Sequence, residues 1–134
     1  MRFVMAHVKH TYPKAERLKS VIVLDKAFSE GSKIKAFPVL ARHTSSNHDA
    51  EVPYQVATTV SKRRFRKAVL RNRIKRLMRE AWRLEKHRLE SHWKPGDQKR
   101  ALVLIYVGND IPTFAECLHT TKKIVNVLLK TQKD

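Results

Sequence analysis

The sequence is poor in the groups that make an active site. Its single cysteine, Cys117, excludes an intramolecular disulfide and any multi-cysteine zinc site, and reads as a small core residue of a helical segment. Its three glycines, Gly31, Gly96 and Gly108, stand apart, which excludes a glycine-rich phosphate loop. Of twelve acidic residues only Asp49 and Glu51 stand close together, bordering a polar loop, so the clustered carboxylates that hold a catalytic Mg²⁺ or Mn²⁺ are missing. The seven histidines are scattered, and neither His43/His48 nor His87/His92 has the i, i+4 spacing of a zinc helix. No nucleophile elbow is present. No apolar run approaches the roughly 18 residues that a membrane span needs. The start, M-R-F-V-M-A-H-V-K-H-T-Y-P-K, lacks the apolar core and cleavage site of a secretory signal, so the cytoplasm is the default compartment.

What the chain has in excess is positive charge. Against the acids stand 29 Lys and Arg, a net +17 over 134 residues. Such a surplus repels itself in a compact state, and an anionic partner that neutralises it accounts for its presence. With 42% hydrophobic residues and no internal repeat, the chain reads as one folded domain over 17–130, with a flexible N-terminal arm at 1–16 and a frayed tail at 131–134.

Along the chain, Ser20 caps a short helix to about Ser29, with Val21, Leu24 and Phe28 on one stripe and Gly31 ending it, although Val21-Ile22-Val23 also suits a strand. Lys33 to Arg42 reads as a strand that Pro38 confines to an edge or interrupts. His43 to Ala50 is a polar loop, bordered by the possibility of one further short strand. Tyr54 to Val60 alternates as a half-exposed strand, with Tyr54, Val56, Thr58 and Val60 on one face. A long helix spans about Ala68 to Glu90. The apolar run Ala101 to Val107 is a strand covered on both faces. Thr113 and Glu116 form a capping box for a last helix that carries Phe114, Cys117, Leu118, Thr121, Ile124 and Leu128 inward. The order is that of a single-domain, two-layer α/β sandwich of the α+β class.

The stretch Ser61–Arg88 concentrates the charge: thirteen Lys or Arg opposed only by Glu80 and Glu85. Ala68, Ile74, Leu77, Met78, Ala81, Trp82 and Leu84 recur within it at helical spacing, so a greasy face is buried while a cationic face is offered to a polyanion. At this charge density the polyanion of choice is nucleic acid.

Val60-Ser61-Lys62 followed by A-V-L-R-N-R-I-K-R-L-M-R-E-A-W-R closely resembles the signature of the bacterial ribonuclease P protein subunit family. Arg17-Leu18-Lys19, Phe28 and Gly31 are similar to that family's opening helix, and Phe37 to its first strand. The resemblance implies a left-handed βαβ crossover, against the usual right-handed rule, formed by the Tyr54–Val60 strand, the long helix and the Ala101–Val107 strand. It implies an accessory subunit of an RNA endonuclease that removes the 5′ leader from precursor tRNA. The reacting groups and most of the Mg²⁺ then belong to the catalytic RNA, one protein sits on each RNA, and no active site is expected on the protein. Carried over position by position, Arg63, Arg64, Arg66, Lys67, Arg71, Asn72, Arg73, Lys75, Arg76 and Arg79 would face the catalytic RNA. Phe28, Phe37, Thr59, Ser61 and Lys62 would lie along the leader, where stacking on rings is tolerant of sequence. Taken alone, Phe28 and Phe37 read better as core residues. Leu24, Gln55, Ala57 and Thr58 depart from the family pattern. The rival reading is a ribosomal or chaperone protein that coats RNA without a part in cleavage.

Overall fold

The computed structural model describes residues 14–133, so most of the arm expected over 1–16 lies outside the described residues, as does Asp134. Lys14–Glu16 form a 3-10 turn, and the chain then runs α1 (Val21–Glu30), β1 (Ser32–Ala36), β2 (Val39–Ser46), β3 (Tyr54–Val60), α2 (Ala68–Glu85), β4 (Lys99–Tyr106) and α3 (Phe114–Lys133). A short helical turn, His87–Glu90, follows α2. The four strands form one mixed sheet in the order β1-β2-β4-β3. β1/β2 and β2/β4 are antiparallel, whereas β3 and β4 are parallel and joined through α2.

The two faces of the sheet are covered differently. Ile34, Ala36, Val39, Tyr54, Val56, Val60, Leu102, Leu104 and Tyr106 form the main core with Ile74, Met78, Ala81 and Trp82 of α2 and Cys117, Ile124, Val125 and Leu128 of α3. Trp82 and Tyr54 meet edge to face with ring centroids 6.1 Å apart. On the other face α1 covers Ala101 and Val103 with Val23, Leu24 and Ala27. Burial and then the neighbouring Glu116 push the Cys117 thiol up to about 11, as befits the core residue its sequence context suggests.

Local chemistry sets the ends of the helices. Ser20 Oγ accepts from the Val23 amide at 3.3 Å. The Thr113–Glu116 box is reciprocal, with bonds of 2.9 and 3.1 Å. Arg42 reaches from the sheet to the end of α1, its Nε donating to the Ala27 carbonyl at 3.1 Å and its Nη2 to that of Gly31 at 3.4 Å. A Cβ on Gly31 would run into the Ala27 carbonyl oxygen, so glycine is required there for room and not for its backbone angle.

Five expectations need correction, the simplest being Phe114, which at the first position of α3 stands exposed and not inward. Lys33–Arg42 is not one strand: the chain turns at Phe37-Pro38, and β1 and β2 pair as a hairpin with Lys35 opposite Leu40. His43–Ser46 is not loop but the end of β2, paired from His43↔Leu102 to Ser46↔Lys99, because a ladder is held by backbone groups whatever the side chains. α1 packs through Val23, Leu24 and Ala27, leaving Val21 and Ile22 exposed, because the small Ala27 lets the helix approach the sheet. α2 ends at Glu85, five residues early, where Lys86 turns its amine inward. Lys86 Nζ lies 2.5 Å from Glu16 and 3.7 Å from Glu90 and is almost wholly buried.

Candidate nucleic-acid interface

Helical periodicity divides the cations of α2 into rows. With Ile74, Met78, Ala81, Trp82 and Glu85 buried, Asn72, Arg73 and Arg76 point outward, while Arg71, Lys75 and Arg79, each four residues apart, line one flank. Lys75 and Arg79 open into a groove of about 380 Å³ that Arg17, Leu18 and Lys19 close from the other side, over Val56–Thr58. Arg17 and Lys19 therefore join the basic surface from 56 or more residues away. Their own signal was in the sequence, in the R-L-K that precedes the Ser20 cap, but nothing local tied it to α2.

The other half of the basic stretch is neutralised. Arg83 pairs with Glu80 at 2.6 Å, Arg88 with Glu85 at 3.1 Å, and Lys86 is buried between Glu16 and Glu90. By contrast, among the described residues no carboxylate holds Arg63, Arg66, Lys67, Arg73, Lys75, Arg76 or Arg79. The start of α2 adds to their charge. Lys67 stands at the cap without a side-chain cap bond and no acid lies in the first turn, so the helix itself supplies no counterpart to the positive end of its dipole. The free cations thus gather on one half of the helix, from the turn before it to Arg79.

Two residues expected at this surface are engaged by the protein itself. The Arg71 guanidinium donates to the Phe65 and Arg66 carbonyls, both at 2.8 Å. Arg64 donates to the Val107 carbonyl just past β4. Lys62 is exposed, and Ser61 Oγ accepts from the Arg63 amide at 3.2 Å.

Sheet register assembles a second strip. Lys35, Leu40, Ile105 and Thr59 are successive cross-strand partners, so they form a row on the face that α1 covers only in part. Phe37, at the β1/β2 turn, is 75% exposed, and Phe28 on α1 is 43% exposed. Neither is a core residue, against the reading that each invites when taken alone. Lys35, Leu40 and Ile105 were not marked by sequence, since their alignment depends on pairings that only the folded sheet reveals.

In the acid pair Asp49/Glu51, Glu51 accepts from Lys99 at 3.2 Å, and among the described residues no three His, Cys, Asp or Glu come together around one position. His43 is buried with Arg100 donating to its Nδ1 at 3.1 and 2.8 Å, and burial followed by that cation lowers its pKa to about 4. It is a neutral acceptor in the sheet. No described helix is long and apolar enough to cross a membrane.

A family model described as Ribonuclease P matches residues 12–128, nearly the whole chain. The chain belongs to the ribonuclease P protein component family. It is 39% identical over 127 residues to the ribonuclease P protein component of Chlorobaculum tepidum, covering 85% of this chain and 82% of that one. To the ribonuclease P protein component of Porphyromonas gingivalis it is 32% identical over 101 residues, covering 75% and 74%. Its fold is similar to that of the Staphylococcus aureus RNase P protein, with a TM-score of 0.64 at 20% identity over 86% of this chain and 96% of that one. A mutant of the same Staphylococcus aureus protein, described as defective in mRNA degradation, is similar at a TM-score of 0.65 and 21% identity. As a ribonuclease P protein component the chain is the RNA-binding subunit of an RNA endonuclease of tRNA processing, and it associates with ribonuclease P RNA.

Proposed function

We propose that the protein docks on the catalytic RNA of ribonuclease P through the free half of α2 and guides the 5′ leader of precursor tRNA along the strip beside α1. Arg63, Arg66, Lys67, Arg73, Lys75, Arg76 and Arg79 neutralise phosphates of the RNA subunit, and Asn72 adds a hydrogen bond among them. Arg64 and Arg71 belong to the same surface through the backbone they hold. Phe28, Phe37, Thr59, Ser61 and Lys62 meet the single-stranded leader, with the rings stacking on bases. The observation that carries this reading is the segregation of cations along 61–88, which among the described residues are paired with acids beyond Glu80 and with none before it.

In this reading residues 17–130 act as one domain, in the cytoplasm, with one protein on each RNA. Mg²⁺ is held mainly by the RNA, since the described residues offer it no carboxylate cluster. The protein's part is to bring phosphates together at a Mg²⁺ concentration that would otherwise leave them apart.

The leader assignment is tested with holoenzyme reconstituted on the cognate RNA, comparing affinity for precursor and mature tRNA. Because a stacked base contributes roughly 1–3 kcal/mol, Phe28→Ala is expected to weaken precursor binding by about tenfold and to leave mature tRNA binding unchanged. Equal losses on both substrates, or none on the precursor, would remove Phe28 from the leader path. The ring is exposed, so the substitution tests binding with little effect on folding.

A further inference from the structure

Arg71 opens the signature string, yet it is placed unlike the arginines that follow it. Arg73 and Arg76 are exposed, and among the described residues no carbonyl or carboxylate holds either of them. Arg71 is half-buried, and its Nη1 donates to two consecutive carbonyls, Phe65 and Arg66, at 2.8 Å each. Both carbonyls lie in the segment Ser61–Lys67 that carries the chain from β3 into α2.

That segment is braced at every side except its cations. The Phe65 ring is buried against Tyr106, with centroids 6.0 Å apart. The Phe65 amide donates to the Ser61 carbonyl at 3.1 Å, and Ser61 Oγ receives the Arg63 amide. Arg64 ties the segment to the Val107 carbonyl. The side chains of Lys62, Arg63, Arg66 and Lys67 are exposed, on a backbone whose path is already set. A backbone ordered before association removes that ordering cost from binding.

We propose that Arg71 is a positioning residue of the RNA interface: its guanidinium clamps the Phe65 and Arg66 carbonyls so that Lys62–Lys67 present a preformed basic turn, and phosphate binding falls to its neighbours. This rests on the reading that the surface binds RNA. Among the described residues only the Nη1 of Arg71 is engaged, and the Nε–Nη2 edge makes no hydrogen bond, so the two roles have to be separated by experiment. A lysine separates them, because it keeps the charge while its shorter side chain ends before the place from which Nη1 reaches both carbonyls.

Arg71→Lys, Arg71→Ala and Arg73→Ala are compared in two measurements. The first is amide hydrogen exchange in the free protein, and the second is affinity for ribonuclease P RNA across a range of salt. Both Arg71 variants are expected to speed exchange at Phe65, and to weaken RNA binding about tenfold at every salt concentration, lysine no better than alanine. The slope of log K against log salt stays at the wild-type value for these two. Arg73→Ala is expected to leave exchange alone and to flatten the slope by roughly 0.7–0.9. Restoration of wild-type affinity by Arg71→Lys, or a slope flattened by one contact in Arg71→Ala, would make Arg71 a phosphate ligand and overturn the proposal. Unchanged exchange at Phe65 in Arg71→Lys would overturn the clamp. Exchange is read without RNA, so it decides the clamp even where Arg73→Ala leaves the slope unchanged and the reading of the surface itself fails.

Discussion

Replacing Arg73 and Arg76 together with alanine is expected to lower affinity for ribonuclease P RNA by roughly a hundredfold at low salt, taking about 1.5 kcal/mol for each charged hydrogen bond. The slope of log K against log salt should flatten by roughly 1.4–1.8, the release of counterions from two phosphates. Both side chains are exposed, and among the described residues nothing ties them, so folding should change by no more than about 0.5 kcal/mol. The informative comparison is Arg83→Ala with Arg88→Ala, which removes the same formal charge from the same stretch. Those guanidiniums are already engaged by Glu80 and Glu85, so the affinity loss there should be several times smaller. Salt-dependent binding of the two double variants to the same RNA decides the matter. An unchanged slope for the first pair would place it off the interface, and equal losses for both pairs would mean that overall charge, not the free half of α2, governs binding.

Lys86→Ala is expected to cost about 3–5 kcal/mol of stability, because it leaves the buried Glu16 carboxylate without its cation. Side-chain exposure of 3% for Lys86 and 7% for Glu16 takes this pair out of the class of surface ion pairs that contribute little. Glu90 makes the loss worse. Burial raises its pKa, Lys86 opposes that rise, and Glu16 adds to it, so removing Lys86 removes the one influence that favours the ionised form. Replacing the ion pair by apolar groups of similar volume, Lys86→Met with Glu16→Leu, should recover most of the loss. Urea unfolding of the three proteins measures this, and a Lys86→Ala protein within about 1 kcal/mol of wild type would show the pair to be of no consequence. Because Glu16 lies in the 3-10 turn before α1, the same ion pair fixes the segment leading to Arg17 and Lys19 against the end of α2.

The comparison of sequence with structure separates what is local from what is not. Strand β3, the start of α2, both helix caps and the covered strand β4 were legible, because each rests on periodicity or on a side chain three residues from its partner. The β1/β2 hairpin was not, since Pro38 in an apolar run reads equally as an interruption of one strand. His43–Ser46 looked like loop from its polar residues, whereas β4 supplies it with a backbone partner and buries His43 and Thr44. The free half of the basic helix was legible as charge. Which of its cations are free was not, because Lys86 finds Glu16 seventy residues away and Arg64 finds Val107 at the end of the neighbouring strand. Exposure of Phe28 and Phe37 likewise follows from what α1 and the hairpin turn leave uncovered, a matter of tertiary packing alone.

The central claim is that the protein supplies binding surface while RNA supplies the reaction. The direct measurement is cleavage of precursor tRNA at low Mg²⁺, with the cognate ribonuclease P RNA, with the protein, and with both. The RNA alone should be slow, the protein alone inert, and the two together should release the 5′ leader efficiently. Cleavage by the protein alone, or an RNA whose rate the protein does not change, would contradict it.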